Sequence, residues 1–160
     1  MRAEDRTEIE ETLYRYAYLL DTRQHHRVAG EIFTDDAVID YGTGLLVGQS
    51  AVNGFFTGFI EEVAQTAHCY SNCIIKVNGN VAKSHSHVTA WHWVARPDRQ
   101  VTDEADITIV GASQDEWRRT ADGWRISNRV ALQFGVAVGK ASPGIAELMK
   151  GMATRHSTWP

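Results

Sequence analysis

Two turn signals, Asn78-Gly79 and Ala121-Asp122-Gly123, each sit between long runs with strand character, and this pairing constrains the fold more than any other feature of the chain. The runs cover 68–77 and 81–95 around the first turn and 105–120 and 124–134 around the second. Asn-Gly is favoured where a two-residue hairpin loop needs positive φ at both central positions. Two such hairpins in succession predict a long, bent antiparallel sheet.

The segments before the sheet read as helices. From 6 to 20 the apolar residues Ile9, Leu13, Tyr16, Ala17 and Leu20 recur at three- and four-residue steps, the stripe of an amphipathic helix. A short second helix is expected over 25–33, broken by Asp35-Asp36, and 37–41 has strand character before Gly42 and Gly44. Ser50 can cap a third helix in which Val52, Phe55, Phe56, Phe59, Ile60 and Val63 form an apolar face and Glu61-Glu62 stay solvated. The tail from Ser142, with Ile145, Leu148, Met149 and Met152, predicts a short C-terminal helix that folds over a pocket mouth or onto a partner subunit. The class is therefore α+β, with three N-terminal helices packed on a strongly curved antiparallel sheet. At 160 residues one hydrophobic core is expected, so the chain reads as a single domain over 1–160, with its core at 5–135 and a tail at 140–160.

Composition narrows the partners. Apolar residues make up 43% and charged residues 22%, ordinary usage for a packed domain rather than a disordered one. The net charge of −4 is spread along the chain without a Lys/Arg cluster, which argues against a phosphate-backbone partner and hence against nucleic acid. The charged start, 1–6, leads into the first helix without an apolar run of signal-peptide or membrane-spanning kind, so no membrane partner is expected and the location reads as cytoplasmic. Cys69 and Cys73 would lie about 13 Å apart on one strand. A disulfide needs Cα atoms within about 7 Å, so the two read as small buried hydrophobes in a reducing compartment.

The residues that carry chemistry are Asp21, at the end of the first helix, and His68, at the opening of the first long strand. A carboxylate bonded to one ring nitrogen of a histidine fixes the tautomer and stabilises the imidazolium, leaving the other nitrogen to take a proton. Strand alternation places His68, Tyr70, Asn72 and Ile74 on one face and Cys69 and Cys73 on the other. On the next strand Ser86, Val88, Ala90 and His92 share one face and His85, His87, Thr89, Trp91 and Trp93 the opposite one; only one set can look into a pocket. His85 and His87 have the spacing of two metal ligands, but His92 alternates away and no third ligand is evident, so no metal is expected. His25-His26 reads as an exposed turn, and Trp91, Trp93, Trp117 and Trp124 as packing residues.

The order of these pieces resembles the NTF2-like superfamily, in particular its SnoaL-like branch of polyketide cyclases, scytalone dehydratase and bile-acid dehydratases. The resemblance rests on Tyr14-Arg15-Tyr16-Ala17 with Asp21, the run from Phe33 to Tyr41, Gly48, Thr66-Ala67-His68, Trp117-Arg118-Arg119 and Gly123-Trp124-Arg125-Ile126. It implies a cone-shaped fold. It also implies a dyad in which Asp21 orients His68 as the base, while Tyr41 and Tyr16 hold the substrate oxygen as uncharged donors. Similarity to scytalone dehydratase places polar pocket residues near His92 and at Gln114, although the neighbouring hydroxyl position reads Ala112 and the phenol before the aspartate reads Leu20. Arg129 would meet a carboxylate or enolate, as a strand arginine does in the bile-acid enzymes.

The function so implied is that of a cofactor-independent lyase or cyclase of the dehydratase type, acting on a small, mostly apolar oxygenated substrate such as a polyketide, terpenoid or aromatic metabolite. Two alternatives use the same pocket: a ketosteroid-type isomerase, or an epoxide-opening enzyme drawing on Asp40, Asp106 or Asp115 with Asn72 or Gln114. A third is a non-catalytic ligand-binding or assembly module, which predicts Asp21 and His68 apart. The open face of such a sheet is often covered by a second copy, so a homodimer is expected, or a trimer if the C-terminal helix swaps.

Overall fold

A computed structural model describes residues 3–42 and 44–138 of the chain. Helix α1 (Ala3–Asp21) turns its stripe inward: Ile9, Leu13, Tyr16 and Leu20 are all buried. A turn in which Arg23 takes φ 60° leads to α2 (His25–Ile32). From that turn the Arg23 guanidinium reaches across the fold, donating from Nη1 to the carbonyls of Val63 (2.7 Å) and Ala64 (2.9 Å) and from Nη2 to that of Ile60 (3.2 Å). The clamp holds the end of α1 against the start of the first long strand.

Strand β1 (Phe33–Asp40) runs into a short β2 (Leu45–Val47) and helix α3 (Gly48–Glu62). The remaining strands are β3 (Val63–Asn78), β4 (Val81–Val94), β5 (Ile107–Thr120) and β6 (Gly123–Val138). One six-stranded sheet results, in the order β2-β1-β6-β5-β4-β3. It departs from the expected antiparallel pattern at one seam, where β1 pairs with β6 in parallel. No hairpin joins those two strands; β2, α3, β3, β4 and β5 lie between them in the chain. Register shifts between Ser71 and Ile74, Val110 and Gly111, and Glu116 and Trp117 each add local bend and twist, and they curve the sheet around the helices.

Both hairpins form, with refinements. Asn78 stays in the ladder opposite Val81, so the first loop is Gly79-Asn80, and positive φ occurs at Gly79 (60°) but not at the second central residue. That is the type II′ pattern, one residue along from the expected Asn78-Gly79 turn. In the second, Thr120 faces Gly123, whose φ is 100°. A Cβ there would strike the Glu8 carboxylate, which accepts the Trp124 N–H at 2.9 Å and ties α1 to β6.

Several other expectations are corrected. Helix α3 begins at Gly48, with Val47 as its N-cap residue and no side-chain cap bond, so Ser50 lies inside the helix and caps nothing. Only Val52 and Phe56 of its apolar face are fully buried; Phe55 and Phe59 border a cavity, and Val63 belongs to β3. Cys69 is exposed rather than buried, while Cys73 is half-buried and its thiol is pushed by burial up to about 11; both are free. His26 is exposed, but His25 is buried as the first residue of α2. Trp117 and Trp124 are packed in the core. The helix expected from Ser142 lies outside the described residues. Among the described residues, no helix is long and apolar enough to cross a membrane.

Candidate active site

The cone encloses a cavity of about 150 Å³ bordered by α1, α2, α3 and the inner face of the sheet. Phe55, Phe56, Phe59, Val88, Ile109 and Leu132 give it an apolar wall, into which a few polar groups project.

The Asp21 carboxylate and the His68 ring meet at one side. His68 Nδ1 lies 2.7 Å from Asp21 Oδ1, and the His68 backbone N–H donates to Oδ2 at 2.9 Å. Thr66, two residues earlier on β3, donates its hydroxyl to Oδ1 at 2.9 Å. Three donors thus hold the carboxylate in one orientation. Burial pushes Asp21 up, but the bond and charge of the His68 ring, the His68 N–H and the Thr66 hydroxyl outweigh it and hold the carboxyl below its ordinary range. A carboxylate facing Nδ1 selects the Nδ1–H tautomer and leaves Nε2 as the basic nitrogen. His68 borders the cavity, and Asp21 stands behind it.

The second polar group is a phenol cluster. Tyr16 and Tyr41 share a hydrogen bond, with their oxygens 3.0 Å apart. Tyr70 packs edge-on to Tyr16, and its hydroxyl accepts from Arg129 Nη1 at 3.5 Å. Burial pushes all three phenols up, with the Arg129 charge opposing it only in part, so they are un-ionised donors at neutral pH. Arg129 itself is 1% exposed and lies over the Tyr16 ring at 4.7 Å. Burial opposes its charge, but Asp115 prevails through a two-pronged bond, Nε to Oδ1 at 2.7 Å and Nη2 to Oδ2 at 2.9 Å. The pair sets the Arg129 guanidinium, with Asp115 as its counter-ion, against the phenol cluster.

Of the residues singled out in the sequence, the fold brings Tyr16, Tyr41, His68, His92 and Arg129 to the cavity, with Asp21 behind His68. Asn72 and Gln114 do not reach it. Asn72 sits in the β3 bulge with φ 51°, and the extra residue reverses which side chains face inward. Its amide bonds instead to His87 Nδ1 at 3.1 Å on the outer face, and beyond the bulge Ile75 is buried while Ile74 is 51% exposed. Gln114 lies between the buried Ser113 and Asp115, and so alternates to the outer face.

The hydroxyl absent at Ala112 is present one residue later. Ser113 borders the cavity and bonds to Ser86 at 3.0 Å, because β5 alternates without interruption from Ile109 through Ser113 to Asp115; the extra residue at the shift after Val110 lies on β6. On β4, Val88, Ala90 and His92 form the cavity face, and His85 and His87 stand together outside, their rings 5.8 Å apart. Among the described residues, no group of three His, Cys, Asp or Glu side chains is placed to hold a metal ion. The carboxylates considered for epoxide opening are dispersed: Asp115 is committed to Arg129, and Asp106 is bonded by Arg96 (2.6 Å) and Arg99 at the loop before β5. Asp40 receives the Gly42 N–H at 2.8 Å.

Sequence reading missed Thr66, Arg23, Tyr70 as a third phenol beside Arg129, and His25. His25 borders the cavity. Only Tyr70 carried a signal, through its alternation with His68.

Comparison with known proteins gives consistent results. The profile of the SnoaL-like domain matches residues 1–130. The uncharacterized protein Rv2910c of Mycobacterium tuberculosis is 31% identical over 130 residues, spanning 79% of this chain and 83% of that protein. The crystal structure of the Kfla4162 protein from Kribbella flavida is similar with a TM-score of 0.75 at 26% identity, over 84% of this chain and 93% of that one. A hexachlorocyclohexane dehydrochlorinase, LinA type 2, is similar with a TM-score of 0.69 at 20% identity, over 87% and 94%. At that identity the last likeness is one of fold.

Proposed function

The chain belongs to the SnoaL-like family of the NTF2-like superfamily, and from that premise we propose that it is a lyase or cyclase that removes a proton from a small, mostly apolar oxygenated substrate. The observation that carries the reading is the Asp21–His68 bond of 2.7 Å at the edge of an apolar cavity that also holds the Tyr16–Tyr41 pair. A non-catalytic binder predicts the two dyad residues apart, and gives no reason for three donors to converge on one carboxylate.

In this mechanism His68 Nε2 takes the proton from carbon next to a carbonyl, and the C–H electron pair moves into the adjoining bond. The phenols donate to the carbonyl oxygen as it gains charge, and the Arg129 field favours that charge. In a dehydration, the electron pair then forms a C=C bond as the neighbouring C–O bond breaks. The proton on His68 leaves with the hydroxyl as water, which returns the imidazole to its starting state. Isomerisation uses the same steps, except that the proton returns to a different carbon. The side chains alone supply this chemistry. LinA type 2 is named as a dehydrochlorinase, also an elimination enzyme, and its likeness of fold is compatible with this class.

Two measurements test the reading. The ¹⁵N spectrum of the His68 ring should show the Nδ1–H tautomer in the wild type and a mixture in Asp21→Asn. In a screen of β-hydroxyketones for loss of water or ring closure, His68→Ala should lower turnover by about 10²–10⁴-fold while the protein stays folded. Turnover by His68→Ala near the wild-type level would sink the mechanism.

A further inference from the structure

His25 is 1% exposed, borders the cavity, and has no hydrogen-bond partner on either ring nitrogen among the described residues. His92, 7% exposed and on the same cavity, likewise has Nδ1 without a partner there. A buried polar group left unsatisfied costs about 1–3 kcal/mol, so a fold keeps one at a pocket wall only where something repays it. The other polar side chains around this cavity are committed: Asp21 to His68 and Thr66, Arg129 to Asp115, Tyr16 to Tyr41, Ser113 to Ser86. The two uncommitted imidazoles sit beside the dyad, with the His92 ring edge-on to His68 at 5.6 Å and the charge of His68 also acting on His25.

We propose that His25 is a specificity-determining residue which, with His92, forms a subsite for a hydroxyl or carbonyl oxygen of the ligand. The ligand class is then a single-ring compound with oxygens at opposite ends. The assignment rests on the reading of this cavity as the reaction site. Its scale comes from the sheet: His92 pairs with Thr66 and Val88 with Tyr70, so the His92 end and the phenol end are four residues, or about 13 Å, apart along β3. A ring with para oxygens, with one hydrogen bond at each end, spans that interval. The volume agrees, since an apolar cavity of about 150 Å³ holds a ring the size of benzene. Charge selects a neutral oxygen over an anion at this end. Burial, then the charges of Arg23 and His68, lower His25 against the opposing pull of Asp21, while burial and His68 lower His92 to about 4. A neutral imidazole offers one donor and one acceptor, which suits a hydroxyl.

The test compares two probes of equal size, 4-hydroxybenzyl alcohol and 4-ethylphenol, which differ by one terminal oxygen. Dissociation constants are read by NMR titration on the wild type, His25→Leu and His25→Gln. The wild type should favour the alcohol about fivefold. The ¹⁵N signals of the His25 ring should move with that probe and stay with the other. His25→Leu should reverse the preference, and His25→Gln, which restores a donor and an acceptor, should recover part of it. An unchanged His68 ring signal shows that the variant site is intact. An equal preference in wild type and His25→Leu, or failure of the wild type to bind either probe, overturns the assignment. Because the readout is binding, it fails separately from the mechanism: His68→Ala can abolish turnover while the preference ignores His25, and the reverse result removes the mechanism alone.

Discussion

His92 presents the clearest case of a single side chain whose environment has a measurable consequence for the whole protein. Burial first, and then the neighbouring His68, lower its pKa from 6.5 to about 4, with Asp21 pulling weakly the other way. Between those values the unfolded chain binds a proton that the folded chain refuses. Stability contributed by the neutral imidazole is therefore fully present above pH 6.5 and is lost as pH falls towards 4. The interval corresponds to about 3 kcal/mol, and His25, lowered in the same direction, adds to it. Urea unfolding at a series of pH values between 7 and 4 should show this decline, and His92→Phe should flatten most of it. A decline of equal slope in His92→Phe would assign the effect to other groups. The same scale shows why Asp21 and His68 were legible from sequence while Thr66 and Arg23 were not. A carboxylate and an imidazole announce their chemistry by type. A threonine hydroxyl or a clamping guanidinium becomes functional only through where it lands.

At the scale of elements, the β3 bulge decides which side chains the site receives. Before it, His68 and Tyr70 face inward by simple alternation; after it, Ile75 and Val77 pack inward in place of Ile74. Its cost is concentrated at Asn72, whose φ of 51° is accessible to asparagine and glycine and disfavoured for branched residues. Asn72→Gly should therefore stay near wild-type stability, whereas Asn72→Val should lose about 1–2 kcal/mol, read from urea midpoints. Equal stability of the two variants would mean that the bulge relaxes elsewhere. The helix stripes, the strands and both hairpins were legible because each is written in periodicity or in a turn dipeptide within a few residues. The bulge positions were not, since a one-residue slip is decided by which of two neighbouring strands yields when both are packed.

For the molecule as a whole, the Asp115–Arg129 pair is the polar centre around which site and core are built. Both side chains are at most 1% exposed, one from β5 and one from β6, and through Arg129 they reach Tyr16 on α1 and Tyr70 on β3. Removing one partner leaves a buried charge unanswered, so Arg129→Met should cost about 3–5 kcal/mol, while Asp115→Leu combined with Arg129→Met should recover much of that stability. If the pair serves the phenols as proposed, the double variant will be folded yet poorly active, and full activity in it would remove Arg129 from the mechanism. The sequence by itself determined the element order, the amphipathic helices, the hairpins and a family resemblance that singled out Asp21 and His68, because local periodicity and residue type carry that information. Only the tertiary structure decided that β1 joins β6 in parallel, that Asn72 and Gln114 turn outward, and that His25 lies against the cavity. Those outcomes follow from register and from contacts between segments far apart in the chain, and no short stretch of sequence records which partner a side chain will meet.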